Sequence, residues 1–244
     1  MRGDSRLTLV EHLSELRKRL IISIIAIIAG AVICFNFIEE IIELLIRPGE
    51  GLDFIYLSPP ELFVAYIKIS LILGFIIALP VVLFQIWMFV QPGLKDNERK
   101  LALFVLNAGI VFFLIGVVFS YLVVIPMTIN FFLEITIDNI EPLFSFNNYV
   151  GFISSIILSF GLIFELPLVV ILLTQLGFVT PSFLKKSRKY VLLGVIVISA
   201  ILTPPDLVSQ VLMTIPMLIL FELSILISSV IYRKKIKAKK EKAE

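Results

Sequence analysis

Residues 101–133 read LALFVLNAGIVFFLIGVVFSYLVVIPMTINFFL, 33 consecutive positions without an acidic or basic side chain. About 20 helical residues cross a hydrocarbon core of about 30 Å, so this run reads as a membrane-spanning helix with length to spare. Residues 20–38, 69–94, 190–205 and 207–221 are likewise uncharged, and residues 142–184 are interrupted only by Glu165. The whole chain agrees: of 244 residues 59% are apolar and 16% charged, with a mean hydropathy of +1.06. That leaves too little polar surface to cover a soluble globule of this size. The expected fold is an all-α polytopic membrane protein, one integral membrane domain over 1–244. Its six transmembrane helices of unequal length are placed at about 20–38, 69–91, 101–127, 149–176, 190–203 and 207–231.

The inequality carries information. Thr203-Pro204-Pro205-Asp206 divides what would otherwise be one hydrophobic run, because two successive prolines do not continue a helix. Residues 190–203 then extend only about 21 Å, a shortfall that favours local thinning of the bilayer. The first apolar run follows Arg17-Lys18-Arg19 but has span length, which separates it from the shorter core of a cleaved signal. Cys34, the single cysteine, lies inside that run and offers neither a disulfide nor a metal site.

Of 21 basic residues, 19 lie before the first span, in 91–100, in 177–189 or after Tyr232, whereas 134–141 has none and carries Glu134, Asp138 and Glu141. The positive-inside rule puts both termini in the cytoplasm, with 1–19 an amphipathic cytoplasmic segment and 233–244 a basic tail on anionic headgroups. On the external side, Ile38, Ile41, Ile42 and Leu45 recur at helical spacing opposite Glu39, Glu40 and Glu43, which predicts a short amphipathic helix ended by Pro48. Ser58 and Pro59 form an N-cap and first helical position for the second span, and Gly74 and Pro80 predict a kink within it.

Few side chains carry chemistry. Thr8 and Glu11 fit a capping box, and Leu9, Leu13, Leu16 and Leu20 line one side of the helix they open. Glu15 on that helix has two readings: an ion pair with Arg19 one turn on, or a carboxylate offered to a cationic ligand, for which guanidinium is well suited. Asp96 caps the third span, and Glu98 either complements its dipole or shares the ligand role of Glu15. Glu165, between Leu162-Ile163-Phe164 and Leu166-Pro167-Leu168, is a costly residue at membrane depth; it faces a polar cavity or partner, or carries a proton. Thr203 and Asp206 fit a cap, Gln210 adds polarity one turn later, and Glu222 awaits a basic partner the sequence does not name. There is no phosphate-binding loop, and His12, the sole histidine, has no companion for a metal or a catalytic triad. The chain reads as a non-enzyme with no cofactor.

Four ordered motifs resemble the TatC family. They are His12-Leu13-Ser14-Glu15-Leu16-Arg17-Lys18-Arg19-Leu20; the segment from Pro80 through Gln85, Trp87, Phe89, Pro92, Leu94 and Glu98-Arg99; Phe164-Glu165-Leu166-Pro167; and Leu202-Thr203-Pro204-Pro205-Asp206 with Gln210. The resemblance implies the receptor and core subunit of a twin-arginine translocase, which exports folded proteins on the proton-motive force across the bacterial cytoplasmic (inner) membrane. It implies that Glu15 and Glu98 bind the two arginines of the signal peptide, supported by Arg17, Phe89 and Leu94. It further implies that Pro48 shapes the external cap, that Glu165 is the polar point on a concave, cupped helix wall, and that Thr203 and Gln210 bind a single-span TatA- or TatB-type helix beside Asp206. Self-association and contact with the lipid bilayer are expected, and no nucleic acid. Two other readings stand beside it: a proton-coupled small-molecule transporter with Glu165 as the titrating site, and a non-transporting scaffold. The absence of a convincing internal repeat weighs against the transporter.

Overall fold

Without water to satisfy them, backbone amides in a bilayer must bond within their own segment, and the apolar runs of this chain fold accordingly as helices. The computed structural model describes residues 9–49, 52–93, 96–134, 143–202 and 207–240. In chain order these form α1 (Leu9–Asn36), α2 (Ile38–Ile46), β1 (Asp53–Ile55), α3 (Pro59–Val90), α4 (Asp96–Phe119), a π-helical turn (Ser120–Val124), α5 (Ile125–Glu134), β2 (Leu143–Ser145), α6 (Phe146–Phe164), α7 (Leu166–Leu176), α8 (Pro181–Leu202) and α9 (Leu207–Lys240). Among the described residues, five stretches are long and apolar enough to cross a membrane: His12–Asn36, Pro59–Val90, Ala102–Glu134, Phe146–Leu176 and Thr214–Arg233. The expected span at 190–203 falls on α8, whose first turns carry Lys185, Lys186, Arg188 and Lys189 and leave a shorter apolar remainder.

The long third run is one rod with a change of register in the middle. Pro126 has no N–H to give to Leu122, and the wide π turn just before it absorbs the missing bond without ending the helix. The fourth run is divided at Glu165 into α6 and α7, with Pro167 in the first turn of the second. Its end is set by Gly177 at φ 88°, a left-handed conformation that L side chains resist, from which Gly177 and Phe178 donate back to Leu173.

Small residues set the helix spacing, as expected where lipid removes the hydrophobic drive between helices. At the α1–α3 crossing a Cβ on Gly74 would stand 2.4 Å from the Ala31 nitrogen, and one on Gly30 would stand 2.8 Å from the Gly74 carbonyl oxygen. At the α4–α6 crossing Gly116 lies against the Phe160 carbonyl and Gly161 makes room for the buried ring of Phe113. The largest core joins α5, the π turn and α6 through Val124, Ile125, Ile129, Ile153, Ile156 and Phe160. A second core joins α7, α8 and α9 through Val170, Leu184, Phe221 and Ile225, and a buried hydroxyl pair, Thr174 and Ser228 at 2.8 Å, lies between α7 and α9. The outward side chains of α1, among them Ile24, Ile28 and Val32, are exposed and face lipid.

The end of the bundle that carries α2, β1 and β2 is tied down more firmly than the sequence suggests. The apolar face of α2 packs on Ala65, Ile69, Phe146 and Val150, so this helix lies on α3 and α6. Pro48 follows in a 3-10 turn, Arg47–Gly49. Beyond the expected helices, β1 and β2 pair in parallel, Asp53 with Leu143, Phe54 with Phe144 and Ile55 with Ser145, which joins the segment before α3 to the one before α6. Ser58 takes the N-cap backbone conformation of α3 but its hydroxyl does not cap. Glu61 instead ties down the approach to the helix, accepting from the Leu57 amide at 2.6 Å and from the Ser145 hydroxyl at 2.5 Å.

Candidate functional site: a carboxylate cleft between α1 and α3

The close approach at Gly30 and Gly74 brings the first turns of α1 alongside the last turns of α3. Glu15, Arg19 and Gln85 meet there. Arg19 donates through Nε to Glu15 Oε1 at 3.1 Å and through Nη2 to the same oxygen, and its Nη1 reaches Gln85 Oε1 at 3.4 Å. The one-turn ion pair anticipated from spacing is therefore formed. It sits in a cleft of about 360 Å³ lined by Ser14, Glu15, Lys18 and Arg19 of α1 and by Gln85 and Met88 of α3. Both partners are largely shielded, at 16% exposure for Arg19 and 24% for Glu15. Every Arg19 bond to Glu15 goes to Oε1, and Oε2 accepts no hydrogen bond from the described residues.

Phe89, expected to support the site, stacks its ring on His12 of α1 at 4.4 Å between centroids, with planes 20° apart, a contact the sequence did not indicate. Arg17 is exposed on α1 and lies outside this pairing. Glu98 falls in the first turn of α4, directly after the short turn Gln91–Gly93, while its side chain lies outside the described residues. Leu94, Thr203 and Asp206 also lie outside them. Gln85 and His12 enter through the α1–α3 crossing, and no pattern within either helix marks them as neighbours.

The other expected residues stand apart from this cleft. Glu165 occupies the junction of α6 and α7, where its carbonyl accepts from Leu168 and Val169 at 3.0 Å each. Its carboxylate lies over Gly109 of α4: a Cβ there would come within 2.9 Å of Oε2 and 3.4 Å of Oε1. Among the described residues Oε1 has no hydrogen-bond partner, and it is buried. Gln210, in the first turn of α9, donates from Nε2 to the Ile196 carbonyl of α8 at 3.1 Å, so part of its capacity joins the last two helices. Glu222 finds its basic partner in Arg188 at 2.6 Å. No group of three or more metal-ligating side chains is present among the described residues.

These features define a class: a polytopic helical membrane protein with a shielded carboxylate cleft at one end of its helices and, among the described residues, a carboxylate at the α6–α7 junction with one buried, unpartnered oxygen. Comparison with known proteins narrows it. The family described as Sec-independent protein translocase protein (TatC) matches residues 11–216, and the chain belongs to that family. It is 42% identical to the TatC of Desulforapulum autotrophicum, over 100% of this chain and 92% of that one. To the TatC of Carboxydothermus hydrogenoformans it is also 42% identical, over 93% and 95%. A crystal structure titled as the twin arginine translocase receptor TatC superposes with a TM-score of 0.81 at 39% identity, over 91% of this chain and 99% of that one. The chain is accordingly a component of a Sec-independent protein translocase and not an enzyme, which sets aside the small-molecule transporter reading.

Proposed function

We propose that this protein is the receptor and core subunit of a twin-arginine translocase, binding the paired arginines of signal peptides on folded cargo at the α1–α3 cleft. The observation that carries the reading is the state of Glu15, shielded, oriented by Arg19 through one oxygen and open at the other. A guanidinium placed against Oε2 gains a charge-assisted bond without displacing Arg19, and a shielded carboxylate binds it more strongly than an exposed one. Glu98, opening α4 beyond the short turn from α3, supplies the second acceptor, with Arg17, Phe89 and Leu94 framing the pair.

In the same reading the protein has six spans, both termini in the cytoplasm, and a cupped wall in the bacterial inner membrane. Thr203, Asp206 and Gln210 mark the edge where single-span TatA- and TatB-type partners dock. Gln210 keeps Oε1 as an acceptor for such a helix. Pro48 shapes the external cap, copies of the chain self-associate, and the proton-motive force drives export.

Site-specific photo-cross-linking of a signal peptide to the protein in membranes tests the receptor role. Arg-Arg and Lys-Lys peptides are compared on the wild type, Glu15→Ala and Glu98→Ala. Strong labelling is expected only for Arg-Arg with the wild type; equal labelling throughout would overturn the reading.

A further inference from the structure

Lys68 lies in an unusual place for a cation. It is the tenth residue of α3, and its ammonium donates to Asn147 Oδ1 of α6 at 3.1 Å. That neutral amide is its one partner among the described residues, and no carboxylate pairs with it. Gly151, one turn below Asn147, lies beside the ammonium: a Cβ there would make ordinary van der Waals contact with Nζ at 3.6 Å. The depth is informative. At 1.5 Å per residue α3 is about 48 Å long, so centred on a core of about 30 Å it overhangs by about 9 Å at each end. Lys68 is about 14 Å along it, hence about 5 Å below the hydrocarbon boundary on the β1–β2 side, within reach of the phosphate level by snorkelling.

The surroundings match a lipid in two parts. Leu71, one turn deeper along α3 than Lys68, is exposed and gives apolar surface leading into the core from the ammonium, while Val64, one turn nearer the surface, is exposed above it. Nearer the surface opens a cleft of about 390 Å³ between α3 and the start of α6, walled by the apolar Pro60 and Val64 and by the polar Glu61, Ser145, Asn147 and Asn148. With Oδ1 turned to Lys68, the Asn147 amide presents its Nδ2 donors, and the ammonium keeps two of its three. The geometry points to a site for an anionic phospholipid of the β1–β2-side leaflet. Its phosphodiester lies on Lys68 Nζ and Asn147 Nδ2, its acyl chains descend past Leu71, and its headgroup occupies the Glu61 cleft beside Val64. Because that cleft holds a carboxylate, it takes a hydroxylated, uncharged headgroup such as glycerol and disfavours one bearing its own carboxylate. This site is separate from the α1–α3 cleft and stands whether or not Glu15 binds signal peptides.

Native mass spectrometry of the full-length protein, exchanged into detergent with equal amounts of phosphatidylglycerol and phosphatidylcholine, tests the site. The wild type should retain one phosphatidylglycerol more than Lys68→Gln, with phosphatidylcholine unchanged, and Lys68→Arg should restore it. Asn147→Ala, which removes the second contact while leaving the cation, should lower that retention several-fold. Equal phosphatidylglycerol counts in wild type and both loss variants would overturn the site. Displacement by soluble glycerol phosphate at the lipid's own concentration would reassign it to a free anion. Equal retention of phosphatidylserine would refute the headgroup class.

Discussion

The hydroxyl of Tyr149 in α6 donates to the carbonyl of Leu45 in α2 at 2.9 Å, linking positions 104 residues apart. Tyr121 does the same for the neighbouring Leu44 carbonyl at 2.6 Å. The last carbonyls of a helix have no partner within it, so two phenols from two different spans complete the end of α2 and hold it on the bundle. Tyr149→Phe should cost about 1 kcal/mol, and more if the Leu45 carbonyl stays dry. The double variant with Tyr121→Phe should depart from additivity, since the two phenols act on adjacent carbonyls. Thermal unfolding in detergent measures both, and limited proteolysis between α2 and β1 should become faster in the same order.

Gly74 and Gly194 make a paired test of close packing. Gly74→Ala places a methyl 2.4 Å from the Ala31 nitrogen, in backbone that cannot swing aside, and should destabilise by about 1–3 kcal/mol or more. Gly194→Ala meets nothing within 4 Å and should be neutral or stabilising by up to about 1 kcal/mol through helix propensity. Similar unfolding midpoints for the two would contradict the α1–α3 crossing.

Glu15→Gln keeps the shape of the cleft and removes its charge. A hydrogen bond to a charged group contributes about 1.5–3 kcal/mol, so affinity for an Arg-Arg signal peptide should fall about tenfold to hundredfold. Affinity for the Lys-Lys peptide should change little. Titration with labelled peptides in nanodiscs gives both values, and parallel losses for the two peptides would point to damage of the cleft itself.

Gly109 leaves the space in which the Glu165 carboxylate lies, so Gly109→Ala should displace that group while helix α4 gains propensity. Export should drop with little change in melting temperature. Glu165→Gln and Glu165→Leu complete the series, with assembly followed separately by native electrophoresis. Full export by Glu165→Leu would reduce Glu165 to a tolerated core residue.

Arg188 and Glu222 are each about half exposed, at 51% and 49%, so Glu222→Gln should cost under about 1 kcal/mol. Thr174→Val removes a fully buried hydroxyl from its bond to Ser228, leaves that serine wanting a partner, and should cost about 1–3 kcal/mol. Chemical denaturation of the two variants side by side should preserve this order.

What the sequence made legible follows the range of the interaction. The helices, the amphipathic face of α2, the break between α8 and α9 and the Glu15–Arg19 pair all rest on residues within a turn or two of each other, where period and spacing act directly. Gln85, the His12–Phe89 stack and the Arg188–Glu222 pair depend on which helices cross and at what height. Gly74 invited a reading as a kink, yet its packing role becomes visible only once Ala31 is beside it. The strands escaped notice because three residues are too few for an alternating pattern to stand out. Glu165 was conspicuous as a charge among apolar neighbours, while the Gly109 notch opposite it gave no signal at all.

The parallel ladder also sets a timetable. Asp53 pairs with Leu143, which is 90 residues further along the chain, beyond all of α3, α4 and α5. At translation rates of about 5–20 residues per second, β1 waits roughly 5–20 s for its partner, with its edge unpaired and α2 held by only one of its two tyrosines until α6 arrives. Three spans must therefore be inserted before the β1–β2 clasp closes, so an arrest of synthesis inside α5 would leave a membrane-bound intermediate whose β1 end is open to proteases that the finished protein resists.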